Sequence, residues 1–158
     1  MRGRVSESRS PAVKVVLHFA NRKLVKGFLL DGDGGVPTAV DAGPPQATLL
    51  PETLEILSTE GQAITVNVSD CKAVFFVKEF DAHDNTDLRF FRETNTLSGI
   101  WVRIRFVDGE VSEGLVPNSL AFVVDPAFYL KPADLFSNNV MIYVLKKALL
   151  SLEVLGVR

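Results

Sequence analysis

One hairpin is written twice in this chain. Residues 15–27 (VVLHFANRKLVKG) and 102–114 (VRIRFVDGEVSEG) each give an alternating strand, a tight polar turn, a return strand and a glycine. Phe19 aligns with Phe106 and Gly27 with Gly114, both 87 residues apart (106−19 and 114−27). A repeated unit constrains architecture more than any single motif, because both copies must fold into the same small module. Further along, residues 64–68 align with 142–146 at a separation of 78 (142−64). The same separation sets Cys71 on Leu149, Val74 on Leu152 and Phe76 on Val154. The change from 87 to 78 puts nine fewer residues between hairpin and third strand in the second copy (87−78). That shortening falls where the first copy carries the Gly/Pro-rich stretch 31–47 (DGDGGVPTAVDAGPPQA).

Val15, Leu17 and Phe19 alternate onto one strand face, the period of a half-buried strand. Asn21-Arg22 supplies the first turn. Asp108-Gly109 reads as a type I′ turn, which needs positive φ at both central residues. Third strands follow at 53–57 and 128–130, and one helical turn each is expected at 69–72 and 147–149. Closely spaced short strands without helical periodicity point to small barrels. The expected fold is all-β: two tandem five-stranded Sm-like/SH3-like small barrels, or one pseudo-symmetric sandwich built from both copies. The expected boundaries are a disordered arm (1–12), a first unit (13–80) with a mobile loop (31–47), a linker (81–99) and a second unit (100–158). Phe19 and Phe106 should lie in the core beneath their hairpins. Gly27 and Gly114 should sit at bends where a side chain would strike a neighbouring strand.

The chemistry-bearing residues are sparse. Of 158 residues, 47 % are hydrophobic and 23 % charged, a globular balance. Net charge is −2 with a pI of about 5.7, a poor start for binding phosphates non-specifically. The single Cys71 cannot form an internal disulfide and reads as a buried structural thiol. No stretch approaches the roughly 20 apolar residues of a membrane span, and the basic start leads into no signal-type apolar run, so a cytoplasmic location is expected. Asp31-Gly32-Asp33-Gly34-Gly35 opens like a calcium loop, but Ala42 stands where the twelfth-position Glu belongs. Residues 81–87 (DAHDNTD) lack the central Gly and the bidentate Glu. His18 should point away from the first unit's interior, and with only His83 beside it no zinc site is expected. No G-x-S-x-G, P-loop or H-E-x-x-H is present. The expectation is a protein that is not an enzyme, with no cofactor and no metal.

Arg103 and Arg105 share a strand face opposite Val102, Ile104 and Phe106, and Arg89 and Arg92 bracket Phe90-Phe91. Arginines beside aromatics suit an anionic ligand or single-stranded nucleic acid. With Asn138 and Asn139 they make up the candidate binding surface. The pattern Gly109-x-x-x-x-Gly114-x-Val116 resembles the first signature of Sm-like small barrels, and residues 139–155 have the layout of their closing strands. Where Sm proteins hold a base with Asp-Asn and Arg-Gly, this chain has Pro117-Asn118-Ser119-Leu120 and Asn138-Asn139, or Glu60-Gly61 in the first copy. A closer resemblance covers residues 13–157. Residues 72–78 (KAVFFVK), the 102–114 hairpin and Ser137-Asn138-Asn139 look like an uncharacterised bacterial repeat family. Its members occur alone or beside signalling modules such as the cyclic-di-GMP-binding PilZ domain, and no activity comes with the resemblance. The function expected is a non-catalytic protein-interaction or regulatory module with a protein partner, no membrane, and exposed strand edges open to a second copy. The alternative is Sm-like RNA binding.

Overall fold

The computed structural model describes residues 13–30, 49–80, 99–133 and 137–157. The expected arm (1–12), the loop 31–47 and all of the linker 81–99 but Gly99, including Arg89 and Arg92, lie outside the described residues. The protein is all-β. Its first half holds β1 (Val13–Phe19), β2 (Leu24–Leu29), β3 (Thr53–Ser58), β4 (Ala63–Asn67) and β5 (Cys71–Val77). The second holds β6 (Ile100–Phe106), β7 (Val111–Val116), α1 (Leu120–Val124), β8 (Ala127–Pro132), β9 (Asn139–Leu145) and β10 (Leu149–Val157). One 3-10 turn links β4 to β5 (Val68–Asp70) and another links β9 to β10 (Lys146–Ala148), close to the expected helical turns.

The strands form one open antiparallel sheet in the order β10-β6-β7-β8-β9-β5-β1-β2-β3-β4. Two closed five-stranded barrels are therefore not what the hydrogen bonding builds. Each half does run in the same order, with its fifth strand beside its first and its fourth strand last. The reason for the open sheet is the junction. β5 does not close onto β4 of its own half but pairs with β9 of the other, in the register Ala73↔Val144 to Phe76↔Met141.

That pairing leaves the middle strands with no solvent face. In β1, Val15 and Leu17 enter a first core while Val16 enters a second. In β5, Val74 and Phe76 face the first core, and Ala73 and Phe75 the second. In β9, Met141, Tyr143 and Leu145 alternate in the same way with Ile142 and Val144. Phe106 is fully buried in the second core, whereas Phe19 is only partly buried against the first.

The hairpins carry the same hydrogen bonds in both halves. Phe19 N–H donates to the Lys23 carbonyl (2.9 Å) and Arg22 N–H to that of Phe19 (3.0 Å). The second copy repeats this with Phe106 to Glu110 (2.8 Å) and Gly109 to Phe106 (2.9 Å). Three residues thus fill each loop and only the last has positive φ: Arg22 at 71° and Gly109 at 98°. The type I′ expectation is corrected: this is the three-residue loop with one left-handed position before the return strand. The third strand also departs from the expected spacing. The pairs Gly27↔Ser58 and Gly114↔Pro132 give a third-strand offset of 74 (132−58), against 78 for the fourth (142−64). The second half is thirteen residues shorter before its third strand (87−74) and four longer after it (78−74).

Both repeated glycines sit where strands cross closely. A Cβ on Gly27 would meet the Leu57 carbonyl oxygen at 2.5 Å as well as the Ile56 side chain. One on Gly114 would run into the Lys131 carbonyl oxygen, with Leu130 Cγ at 2.9 Å. Backbone atoms cannot yield as a flexible side chain does, so Gly114→Val should destabilise by about 3 kcal/mol or more. Urea denaturation measures this, and an unchanged midpoint would remove the steric role.

The outer edges differ from the junction they mirror. Offsets of 74 and 78 map Tyr129 to Glu55, Met141 to Ala63, Tyr143 to Thr65 and Leu145 to Asn67. These four first-half residues are exposed. Phe75 likewise maps to the exposed Glu153. Polar and small residues on an edge discourage strand addition. Installing the junction residues on β3 and β4 (Glu55→Tyr, Ala63→Met, Thr65→Tyr and Asn67→Leu together) should drive head-to-tail association. Sedimentation velocity should then show larger species than wild type at equal concentration.

Candidate functional site: a cleft between the hairpin tips

The tips of the β1–β2 and β6–β7 hairpins come together across the junction. Between them lies an open cavity of about 360 Å³ lined by His18, Phe19, Arg22, Leu24, Lys72, Asp108 and Glu110. Each half supplies one wall. Asx turns shape both tips: Asn21 Oδ1 accepts from Lys23 N–H (2.9 Å) and Asp108 Oδ1 from Glu110 N–H (3.1 Å). Asn21 and Asp108 are 87 residues apart (108−21), so one backbone device presents different charges at the two tips.

Lys72, near the start of β5, crosses to the other half. Its side chain is 5 % exposed, and its ammonium donates to Asp108 Oδ2 at 2.6 Å and Glu110 Oε1 at 2.5 Å. The same Nζ lies 4.6 Å from the centroid of the Phe106 ring. A buried ammonium is tolerated only when charge-assisted hydrogen bonds replace its water, and the aromatic face adds a cation–π contact. Lys72 holds the Asp108 carboxyl below its usual range, chiefly through this hydrogen bond, while partial burial opposes the shift. Arg22 contributes at longer range in the same direction.

His18 lies beside this network, its ring centroid 4.1 Å from that of Phe75. It points to the second core's side while Leu17 faces the first, as the alternation predicts. Burial lowers its pKa from 6.5 to about 4, Glu110 and Asp108 opposing the shift and Lys72 adding to it. The imidazole is therefore neutral near pH 7. Cys71 is buried, and its thiol is pushed up to about 12 by burial first and by Asp70 next. It stays protonated and weakly nucleophilic.

The residues singled out from sequence stand elsewhere. Arg103, on β6, donates from Nε to Glu113 Oε2 (2.7 Å) and from Nη1 to Glu153 Oε1 (3.4 Å), so two carboxylates of its own half already match its charge. Arg105 is exposed on the same strand. Asn138 clamps the end of β5: its Oδ1 accepts Glu79 N–H and its Nδ2 donates to the Glu79 carbonyl, both at 2.9 Å. Asn139 begins β9, its N–H bonded to Ser137 Oγ at 3.0 Å. β7 and β8 separate the arginine pair from the asparagine pair in the sheet order, and Arg89 and Arg92 are outside the described residues. Sequence reasoning missed Lys72, Asp108, Glu110 and Arg22 as a group. The available signal was a lone lysine at the head of the apolar run 73–77, together with acidic residues at 108 and 110 where the first copy has Asn21 and Lys23.

Among the described residues no group of three or more His, Cys, Asp or Glu is placed to hold a metal ion, and no helix is long and apolar enough to cross a membrane. Fold and cleft together define an all-β protein whose single antiparallel sheet carries a charged cleft at its centre. The chain belongs to a family of unknown function, DUF6982, whose sequence profile matches residues 11–156. No curated protein and no solved structure matches it.

Two solution measurements follow from the cleft. Lys72→Met removes both charge-assisted hydrogen bonds and should cost about 1–3 kcal/mol in urea denaturation at pH 7, moderated because Glu110 stays in contact with water. His18 has a folded pKa below its unfolded one, so on acidification the unfolded chain takes up its proton first. Stability should be flat in this respect above pH 6.5 and fall by about 2–3 kcal/mol between pH 6.5 and 4. The difference between wild type and His18→Phe across that window isolates this contribution.

Proposed function

We propose that the protein is a non-catalytic interaction module of the bacterial cytoplasm, built from a duplicated five-stranded unit, that docks a protein partner in the cleft between its hairpin tips. The carrying observation is the cleft itself: about 360 Å³, open, made jointly by both halves and lined with opposed charges around Phe19 and Leu24. Ligand sites combine such a concavity with a few placed polar groups. The titration behaviour of the lining favours recognition over catalysis. General acid–base groups work best with a pKa near the operating pH. Here His18 titrates near 4, and Lys72 is committed to two carboxylates. Single-stranded RNA, the other ligand class expected from sequence, is disfavoured by the pairing of Arg103 with Glu113 and Glu153.

The test compares affinity capture from native lysate by wild type and by Arg22→Glu, a surface change on one cleft wall. A partner identified by mass spectrometry with wild type and depleted at least tenfold with the variant is expected. Equal capture by both would move the docking surface away from the cleft. Measurable turnover of a small substrate by the purified protein would defeat the non-catalytic reading.

A further inference from the structure

We infer that the partner segment taken by the cleft is amphoteric: a peptide carrying an acidic and a basic side chain around an aliphatic one. This rests on the docking reading above and specifies its chemistry. The two tips present opposite signs. Arg22 is exposed on one wall, and Asp108 and Glu110 line the other.

The hydrogen-bond census shows what each wall has left to offer. Lys72 occupies Asp108 Oδ2 and Glu110 Oε1, and Asp108 Oδ1 accepts the Glu110 N–H. Among the described residues nothing donates to Glu110 Oε2, on a side chain 42 % exposed. Across the cleft, the Arg22 guanidinium has no hydrogen bond to any of the described residues, so none of them takes up its five donors. One cation and one carboxylate oxygen are thus open, with Phe19 and Leu24 between them.

The charge sum points the same way. Arg22, Lys72, Asp108 and Glu110 cancel, so a polyanion or polycation entering the cleft meets one attractive wall and one repulsive wall. A segment bearing both signs satisfies both walls at once. Like charges set opposite each other are the penalty that excludes the alternatives.

Arg22 also occupies a position that suits glycine better. Its φ is 71°, left-handed backbone that costs a side chain energy, and its counterpart in the other hairpin is Gly109 at 98°. Among the described residues the arginine makes no hydrogen bond that repays this conformation, and it acts on Asp108 only at longer range. Recognition of a carboxylate, to which a guanidinium binds in a bidentate fork, accounts for its presence.

The experiment selects a randomised heptapeptide display library on the purified full chain, on Arg22→Glu and on Arg22→Gly, each checked by thermal melting. Wild type should enrich peptides combining Asp or Glu with Lys or Arg around Leu, Val or Ile. Arg22→Glu should reverse the acidic preference and enrich basic peptides. Arg22→Gly should weaken the wild-type consensus peptide about tenfold, the scale of one lost charge-assisted contact, while melting no lower than wild type. A melting temperature clearly below wild type for Arg22→Gly would give Arg22 a structural role and overturn the inference. So would identical enrichment on all three proteins, or a wild-type enrichment without mixed charge. If a lysate partner is lost on Arg22→Glu while the library shows no charge preference, docking in the cleft stands and the amphoteric chemistry fails.

Discussion

The antiparallel pairing of β5 with β9 is the constraint on which the rest of the molecule depends. It places strands of both halves side by side and buries their two faces at once, so neither core is closed by its own half alone. Tyr129, Met141, Tyr143 and Leu145 come from the second half to complete the first core. Val16, Ala73 and Phe75 come from the first half to complete the second. Such two-sided burial demands apolar residues at consecutive positions, which is why β5 reads CKAVFFV and β9 reads NVMIYVL. The cleft is anchored to this junction. Lys72 is part of β5, and the carboxylates it holds sit on a hairpin whose first strand, β6, feeds the second core.

A sheet assembled from two similar halves faces a difficulty at its ends, because the strand types that pair in the middle recur unpaired outside. The outward residues of β3 and β4 are Glu55, Ala63, Thr65 and Asn67, and β10 carries Glu153 where β5 has Phe75. Two bulges further interrupt the pairing of β10 with β6, between Leu149 and Ser151 and between Val154 and Gly156. Charge, small side chains and bulges are the usual means of keeping an edge from recruiting another strand. The same divergence operates at the junction's charged latch. Lys72 corresponds to the exposed Leu150 at an offset of 78 (150−72), and Asp108 and Glu110 correspond to Asn21 and Lys23 at 87. Among the described residues the ionic contact that Lys72 makes across the halves therefore has no mirror image.

Much of the architecture was legible because it follows from local rules. Alternation located β1 and β6. The repeated glycines announced close strand crossings, and the change of offset placed a shortening before the third strand of the second half, though not the four-residue extension after it (78−74). What local rules cannot reveal is how two units associate. The uninterrupted apolar run of β5 is compatible with a barrel strand and with a strand buried on both faces, and only the pairing with β9 decides between them. The site was hidden for the same reason. Arg103 beside Arg105 looks like a basic patch until Glu113 and Glu153 are brought alongside by β7 and β10. Lys72 and Asp108 are 36 residues apart, and no spacing rule joins them.

Copy-to-copy differences become more informative than shared features once the fold is known. Positions the two halves share, such as Gly27 and Gly114, report requirements of the strand geometry that both must meet. Positions where they diverge are released from that requirement, so another pressure chose the residue. At the left-handed hairpin position the second half has Gly109, the residue the backbone prefers. The first half has Arg22 there, on the cleft wall facing Asp108 and Glu110. At the head of the fifth strand the second half exposes Leu150, whereas the first buries Lys72 among two carboxylates and an aromatic ring. Both departures cost folding energy locally, through left-handed backbone in one case and desolvated charge in the other. Both fall in a cavity that the two halves build together. Two independent departures from the fold's own preference, converging on one concave site, are what the proposed binding role would leave behind in a sheet whose two halves run in the same strand order.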